Sequence, residues 1–172
     1  LVSFDMQLFI FLSILALVVA SPPRNSEVNL QQGDCSGSWF SFNNRCYKYV
    51  ASQMTWADAE LHCVSQTANL VSIHSQEENA FVRTLIKSFD PAQGRAWVGL
   101  TDAHKEGSWM WSDGSSADFS VWHRGEPSNN GGKEHCVHLN FGQDKSWNDV
   151  PCSQSYASVC ISRVNCPSVS GV

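Results

Sequence analysis

The chain has 172 residues, of which 42% are hydrophobic and 16% charged, with 11 Lys+Arg against 16 Asp+Glu. This length fits one domain, and a net charge of -5 excludes the basic surface typical of nucleic-acid-binding proteins and of polybasic membrane anchors. Seven cysteines and seven tryptophans favour a disulfide-bonded, secreted domain.

The start of the chain predicts a targeting segment. Met6 precedes an uncharged apolar run, Leu8–Ala20. That run is too short to span a bilayer but suits the core of a signal peptide. We therefore expect residues 1–20 to comprise read-through residues and a signal peptide cut before Ser21, and residues 21–34 to form a flexible leader. A signal anchor is the alternative interpretation.

Three local elements are predicted next. Aromatic residues alternate around Asn43-Asn44, which predicts a β-hairpin. The segment 55–66 has apolar residues at helical spacing and begins at Thr55, so it predicts a short helix with a threonine cap. A short strand is predicted over residues 69–73.

The second half of the chain is different in character. Ser75, with Glu78 three residues later, forms a capping box and predicts the start of a second helix. From Ala96 onward, short β-like runs alternate with Gly, Asn, Asp and Ser. Because the helices come first and the short strands follow, the predicted class is α+β.

The cysteines predict disulfides but do not define the pairing by themselves. They are Cys35, Cys46, Cys63, Cys136, Cys152, Cys160 and Cys166. An odd number leaves at least one without an intrachain partner. A zinc site through Cys136, which lies between His135 and His138, is the alternative use of these residues. It is disfavoured because a zinc cluster needs a second close pair of ligands, which the sequence lacks.

The segment 126–152 contains the candidate chemistry. It is rich in Gly and Asn, and its candidate ligands are Glu126, Glu134, Asn148 and Asp149. Carboxylate, amide and carbonyl oxygens are the ligands that Ca²⁺ prefers. A solvated polar loop is the alternative, but a disulfide between Cys136 and Cys152 would bring the two groups of ligands together.

Several motifs together carry a family resemblance. They are Trp97-Val98-Gly99-Leu100, Trp109-Met110-Trp111-Ser112-Asp113-Gly114, Glu126-Pro127-Ser128 and Trp147-Asn148-Asp149. With these motifs and its cysteine spacing, the chain resembles a C-type lectin domain over residues 35–161, as found in secreted fish lectins and type II antifreeze proteins. The resemblance implies an α+β double-loop fold with two helices, two small antiparallel sheets and a long calcium-binding loop. Residues 162–172 would form a short tail.

The resemblance also implies a covalent framework. The implied disulfides are Cys35–Cys46, Cys63–Cys160 and Cys136–Cys152, and the Glu126–Pro127 peptide is expected to be cis. Cys166 then remains in the tail. An unpaired thiol in an oxidising compartment tends to find a partner on another chain, so a disulfide-linked homodimer is predicted.

Calcium and sugar would share one site if the family mechanism applies. The implied residues for both are Glu126, Ser128, Glu134, Asn148 and Asp149. In the family, two vicinal sugar hydroxyls coordinate Ca²⁺, donate hydrogen bonds to acidic ligands and accept them from amide ligands. Ser128 departs from the pattern, because mannose-type lectins have Asn and galactose-type lectins have Asp at this position.

An accessory calcium site is only half matched. Asp102 and Glu106 correspond to two of its ligands, whereas Asn129 and His135 replace two further acids. Fewer carboxylates imply weak binding, and a solvated turn is the alternative.

These observations predict a secreted, extracellular, calcium-dependent lectin of innate defence that binds glycans on microbial or cell surfaces. Mannose-type sugars are favoured, because Glu126 and Asn148 keep the acid and amide in the mannose-type order and no aromatic residue lies between Ser128 and Glu134. A galactose-binding lectin and a non-sugar binder such as a type II antifreeze protein are the alternatives. No nucleophile–base pair with a third member is supported by spacing, so an enzyme is not expected.

Overall fold

The computed structural model describes residues 29–163. The helices are α1 (Trp56–Val64) and α2 (Gln76–Phe89), and the strands are β1 (Phe40–Phe42), β2 (Arg45–Met54), β3 (Asn69–Leu70), β4 (Ala96–Thr101), β5 (Met110–Trp111), β6 (Cys136–Phe141), β7 (Ser146–Val150) and β8 (Tyr156–Arg163). The predicted signal peptide, most of the leader and Cys166 lie outside the described residues. Within the described part, no helix is long and apolar enough to cross a membrane.

Both helices begin where the sequence predicts. The Thr55 side chain accepts a hydrogen bond from the Asp58 N–H, and the Ser75 side chain accepts one from the Glu78 N–H. Each cap satisfies a donor that the first turn of a helix leaves free. The second half of the predicted capping box differs, because the Glu78 carboxylate accepts from the His74 N–H at 2.7 Å.

The predicted hairpin joins β1 to β2. Its two turn residues, Asn43 and Asn44, have φ angles of 46° and 58°. Asn tolerates this left-handed conformation better than most residues, and two successive left-handed residues match the twist of a tight hairpin.

The α+β class is confirmed, but the strands form one network rather than two separate antiparallel sheets. Their order is β1-β2-β8-β4-β6-β7, with β3 also paired to β8 and β5 to β4. A short parallel pairing, Ala96↔Ala157 and Trp97↔Ser158, connects the two antiparallel parts. The expectation of two sheets is corrected here, because the buried backbone groups of β4 find their partners on β8.

Three disulfides lie within the described residues, and they are the pairs that the resemblance implies. Cys35–Cys46 closes the hairpin, Cys63–Cys160 connects α1 to β8, and Cys136–Cys152 connects the start of β6 to the residues after β7. Cys136 is therefore not a thiolate ligand, and the zinc alternative through this cysteine is wrong.

The long segment between β5 and β6 is attached to β7 at its base. Trp147 N–H donates to the Val121 carbonyl at 2.8 Å, and His123 N–H donates to the Trp147 carbonyl at 2.9 Å. The buried Trp147 indole also contacts the Trp122 ring edge to face. These contacts place the loop that begins at Glu126 beside the residues that follow Trp147.

Candidate functional site

Two neighbouring strands and one loop supply the predicted site residues. Asn148 and Asp149 lie on β7, where they pair in register with His138 and Val137 of β6. Glu134 lies two residues before β6, which begins at Cys136. The Glu126–Pro127 peptide is cis, as the resemblance implies.

Asp149 holds the loop against the sheet. Its side chain is fully buried, and its two carboxylate oxygens accept from the Ser128 N–H at 3.0 Å and the Asn129 N–H at 2.9 Å. Hydrogen bonds to an ionised group are stronger than those between neutral groups. A residue predicted as a metal ligand therefore also fixes the conformation of the loop.

Glu134 closes the other side of the loop. Its Oε2 accepts from the Ser128 hydroxyl at 3.1 Å and from the Asn130 N–H at 2.6 Å. In return, the Glu134 N–H donates to the Asn129 side-chain oxygen at 3.2 Å. The exposed Ser128 hydroxyl therefore contacts one of the predicted acidic ligands.

Two buried oxygens of the predicted site have no hydrogen-bond partner. They are Glu126 Oε2 and Asn148 Oδ1, and both atoms are buried. Leaving a buried polar atom unpaired costs about 1–3 kcal/mol. A carboxylate oxygen and an amide oxygen suit a hard cation such as Ca²⁺, so the residues fit the metal that the family implies.

His138 orients the Asn148 amide. The His138 Nδ1–H donates to the Leu139 carbonyl at 2.8 Å, and burial lowers the pKa of His138 to about 4. The ring is therefore neutral near pH 7, and its Nε2 accepts from Asn148 Nδ2 at 3.5 Å. This contact distinguishes the two ends of the amide and leaves Oδ1 as the end without a partner. Sequence analysis did not identify this role. The sign of it in the sequence is that His138 and Asn148 lie ten residues apart, on two strands that could pair as a hairpin and place them opposite each other.

The distances between ligand atoms differ between the predicted calcium–sugar site and the accessory site. Among the described side chains, the acidic and imidazole ligand atoms that lie within 4.8 Å of one another belong to Asp102, Glu106 and His135. The carboxylates of Glu126, Glu134 and Asp149 do not form such a group. The structure therefore brings Asp102 and Glu106, the two matched residues of the accessory site, together with His135, which replaces an acid there.

Elsewhere, His74 contacts a serine and an aspartate, but the serine hydroxyl donates to a different residue. His74 contacts Ser115 Oγ at 3.2 Å through Nε2 and Asp118 Oδ1 at 3.4 Å through Nδ1. The Ser115 hydroxyl, however, donates its proton to the Asp113 carboxylate. The proton of this hydroxyl therefore points to Asp113, whereas a general base for a serine nucleophile accepts it.

Comparisons with known proteins agree with one another. A family model described as a lectin C-type domain matches residues 52–162. The chain is 41% identical to lactose-binding lectin l-2 of Anguilla japonica, with 95% of this chain and 98% of that protein covered. It is 39% identical to ladderlectin of Oncorhynchus mykiss, with 82% and 70% covered. The solved structure of herring type II antifreeze protein is similar with a TM-score of 0.71 and 36% identity, covering 76% of this chain and 100% of that one.

Proposed function

The chain belongs to the C-type lectin family, and from this premise we propose that it is a secreted, calcium-dependent lectin. The unpartnered buried oxygens of Glu126 and Asn148 carry this proposal. They lie on the two chain segments that Asp149 joins through its hydrogen bonds to the loop. The relatives are lectins and antifreeze proteins, which supports binding rather than catalysis.

The side chains have complementary tasks toward a sugar. When bound, calcium would supply direct coordination of two neighbouring hydroxyl oxygens. Glu126 and Glu134 would accept hydrogen bonds from the sugar hydroxyls, because an ionised carboxylate is a hydrogen-bond acceptor only. Asn148 Nδ2 carries two hydrogens; one points to His138, and the other is left to donate to a hydroxyl.

We favour mannose-type sugars. Glu126 and Asn148 keep the acid and amide in the order of mannose-type sites, and the loop between Ser128 and Glu134 is Asn-Asn-Gly-Gly-Lys. Because this loop has no aromatic side chain, it offers no platform for the apolar face of galactose. The natural role would be glycan recognition on microbial or cell surfaces in innate defence.

Galactose-type sugars are the second candidate. The observation in their favour is that a relative similar over nearly the whole chain is named a lactose-binding lectin, and lactose contains galactose. Ser128 is neither the Asn of mannose-type sites nor the Asp of galactose-type sites, so it does not decide between them.

Ice binding is the third candidate, supported by the similarity to herring type II antifreeze protein. Thermal hysteresis of the purified protein measures it directly. A lectin without this activity shows the same freezing and melting points as a control protein of equal concentration.

Affinity chromatography tests the proposal. The protein is applied with calcium to mannose and lactose columns and eluted with chelator, free mannose or free galactose. We expect retention with calcium, release by chelator and release by mannose. Retention that chelator does not reverse would contradict the calcium site, and release by galactose alone would replace mannose by galactose.

The tail would add a second binding site per molecule by linking two chains. We expect Cys166 to form an interchain disulfide, so a non-reducing gel shows a dimer that Cys166→Ser abolishes. Two linked sites gain avidity of roughly 10²–10⁴-fold when the geometry allows it. A monomer with one titratable thiol per chain would contradict this expectation.

A further inference from the structure

Asp102, Glu106 and His135 form a compact group of ligand atoms outside the proposed sugar site. His135 Nδ1 lies 3.0 Å from Asp102 Oδ1 and 3.5 Å from Glu106 Oε2. All three ligand atoms lie within 4.8 Å of one another. In a tetrahedral zinc site, metal–ligand distances of 2.0–2.2 Å separate two ligands by about 3.3–3.6 Å. The separation of 3.5 Å lies in this range, and that of 3.0 Å, which is a hydrogen bond between His135 and Asp102, lies just below it.

The donor set does not suit calcium. The resemblance implies an accessory calcium site with further acids where this chain has Asn129 and His135. The Asn129 side-chain oxygen instead accepts from the Glu134 N–H at 3.2 Å, within the loop. Calcium takes six to eight oxygens, whereas imidazole is a preferred ligand of zinc and neighbouring transition metals.

The surroundings hold the three side chains in place. Asp102 is buried, and its Oδ2 accepts from the Gly107 N–H at 2.7 Å. The His135 carbonyl accepts from the Asp102 N–H at 3.2 Å and from the Thr101 hydroxyl at 2.6 Å. The backbones that carry two of the three ligands are therefore joined directly, and a metal would not have to order them.

One side of the group is open to solvent. The side chain of Asp102 is fully buried, whereas His135 is 31% and Glu106 56% exposed. An ion held by three protein ligands therefore has room for a water molecule.

From this geometry we infer that Asp102, Glu106 and His135 form a binding site for a divalent transition metal of the zinc class, in place of an accessory calcium site. The inference does not rest on the proposed sugar site. The replacement of an acid by His135 implies weaker calcium binding. In this inference the same replacement makes His135 a ligand for a different metal.

Calorimetric titration of ZnCl₂ into the full chain, with saturating calcium and with Cys166→Ser to remove the seventh cysteine as a zinc ligand, tests the inference. We expect one zinc per chain. His135→Gln should weaken zinc binding by more than about 100-fold, because loss of an outer-shell partner alone costs 10–100-fold. In His135→Asp, a third carboxylate should allow calcium to compete with zinc.

His104→Gln is the matched control, because His104 is exposed in the same turn but is not a member of the group. It should leave the zinc affinity unchanged. Equal weakening by His104→Gln and His135→Gln, or unchanged affinity in His135→Gln, would overturn the inference. Thermal unfolding with chelator separates metal loss from misfolding, since only a folded variant keeps the parent transition.

Discussion

Two glutamates, Glu78 in the core and Glu126 in the loop, have opposite hydrogen-bond environments. In the core, Glu78 accepts from Arg45 at 2.9 Å, from the Tyr47 hydroxyl and from the His74 N–H. In the loop, Glu126 has a buried oxygen without a partner. Both glutamates lose water on folding, but only the core glutamate recovers its hydrogen bonds from the protein.

This difference in hydrogen bonding indicates that Glu78 contributes to stability and Glu126 to ligand binding. Burying a polar group without a partner is costly, and a cation bound at the loop would supply the partner that the Glu126 oxygen lacks. Burial and the neighbouring Glu78 carboxylate raise the pKa of Tyr47, which keeps the phenol protonated as a donor to that carboxylate. Substitution of Glu78 should therefore lower the free energy of unfolding, and substitution of Glu126 should lower the affinity for the ligand.

The largest expected effect is on the core. Glu78→Ala leaves the Tyr47 hydroxyl and one backbone N–H without their acceptor, and it leaves the Arg45 guanidinium with Ser72 and Asp113 as its remaining partners. Removal of one member of a buried ion pair costs about 3–5 kcal/mol. We expect urea unfolding to show a loss near the lower end, because the Arg45 side chain is 24% exposed. Glu77→Ala, at an exposed position of the same helix turn, should cost less than about 1 kcal/mol.

The second largest expected effect is on calcium binding by Glu126 in the loop. Glu126→Gln preserves shape but removes the charge, so calcium affinity should fall by at least ~100-fold, since the site loses a charged ligand. The free energy of unfolding in chelator should stay within about 0.5 kcal/mol. Calorimetric calcium titration and urea unfolding measure the two quantities, with Glu77→Gln as control. A large loss of stability with unchanged calcium affinity would reverse our assignment.

A third prediction concerns pH and the core. Burial opposes ionisation of Asp113, but hydrogen bonds from Ser115 and Ser72 and the charge of Arg45 outweigh it and lower the pKa of Asp113. Because its folded-state pKa is lowered, the ionised Asp113 stabilises the protein at pH values above its unfolded-state pKa of about 3.9. This stabilisation is lost as the pH falls through the folded-state pKa.

Asp113→Asn should therefore destabilise the protein by about 1.5–3 kcal/mol at pH 6, the value of hydrogen bonds to a charged group. The difference from the parent should shrink as pH falls below about 4. Urea unfolding at several pH values measures it, and Asp34→Asn at an exposed position provides the control. A difference that stays constant down to pH 2.5 would show that the Asp113 charge does not stabilise the fold.

The smallest expected effect is on sugar preference. Ser128→Asn restores an amide that both coordinates calcium and donates to a hydroxyl, so mannose should bind up to about tenfold more tightly, the worth of roughly one hydrogen bond. Competition on the mannose column measures this gain, and Ser88→Asn on the exposed end of α2 is the control. A gain for galactose instead would contradict the mannose-type order of ligands.

Local features were predictable because their causes lie within a few residues. The caps at Thr55 and Ser75 and the Asn43-Asn44 turn depend on side chains that bond neighbouring backbone groups. The predicted strand at 69–73 is shorter in the structure, ending at Leu70. Beyond it, Val71 donates to Val159 and accepts from Gly99, contacts that no local pattern indicates.

By itself, the sequence determined the α+β class, the helix starts and the residue types available to a calcium site. These follow from hydrophobic period, capping chemistry and ligand chemistry, all of which can be read along the chain. Tertiary structure alone decided that β4 pairs with β8, that the Asn148 amide contacts His138, and that Asp149 holds the loop through Ser128 and Asn129. The reason is physical: such contacts join residues far apart in sequence, and they form only where burial removes water and each polar group must find its partner within the protein.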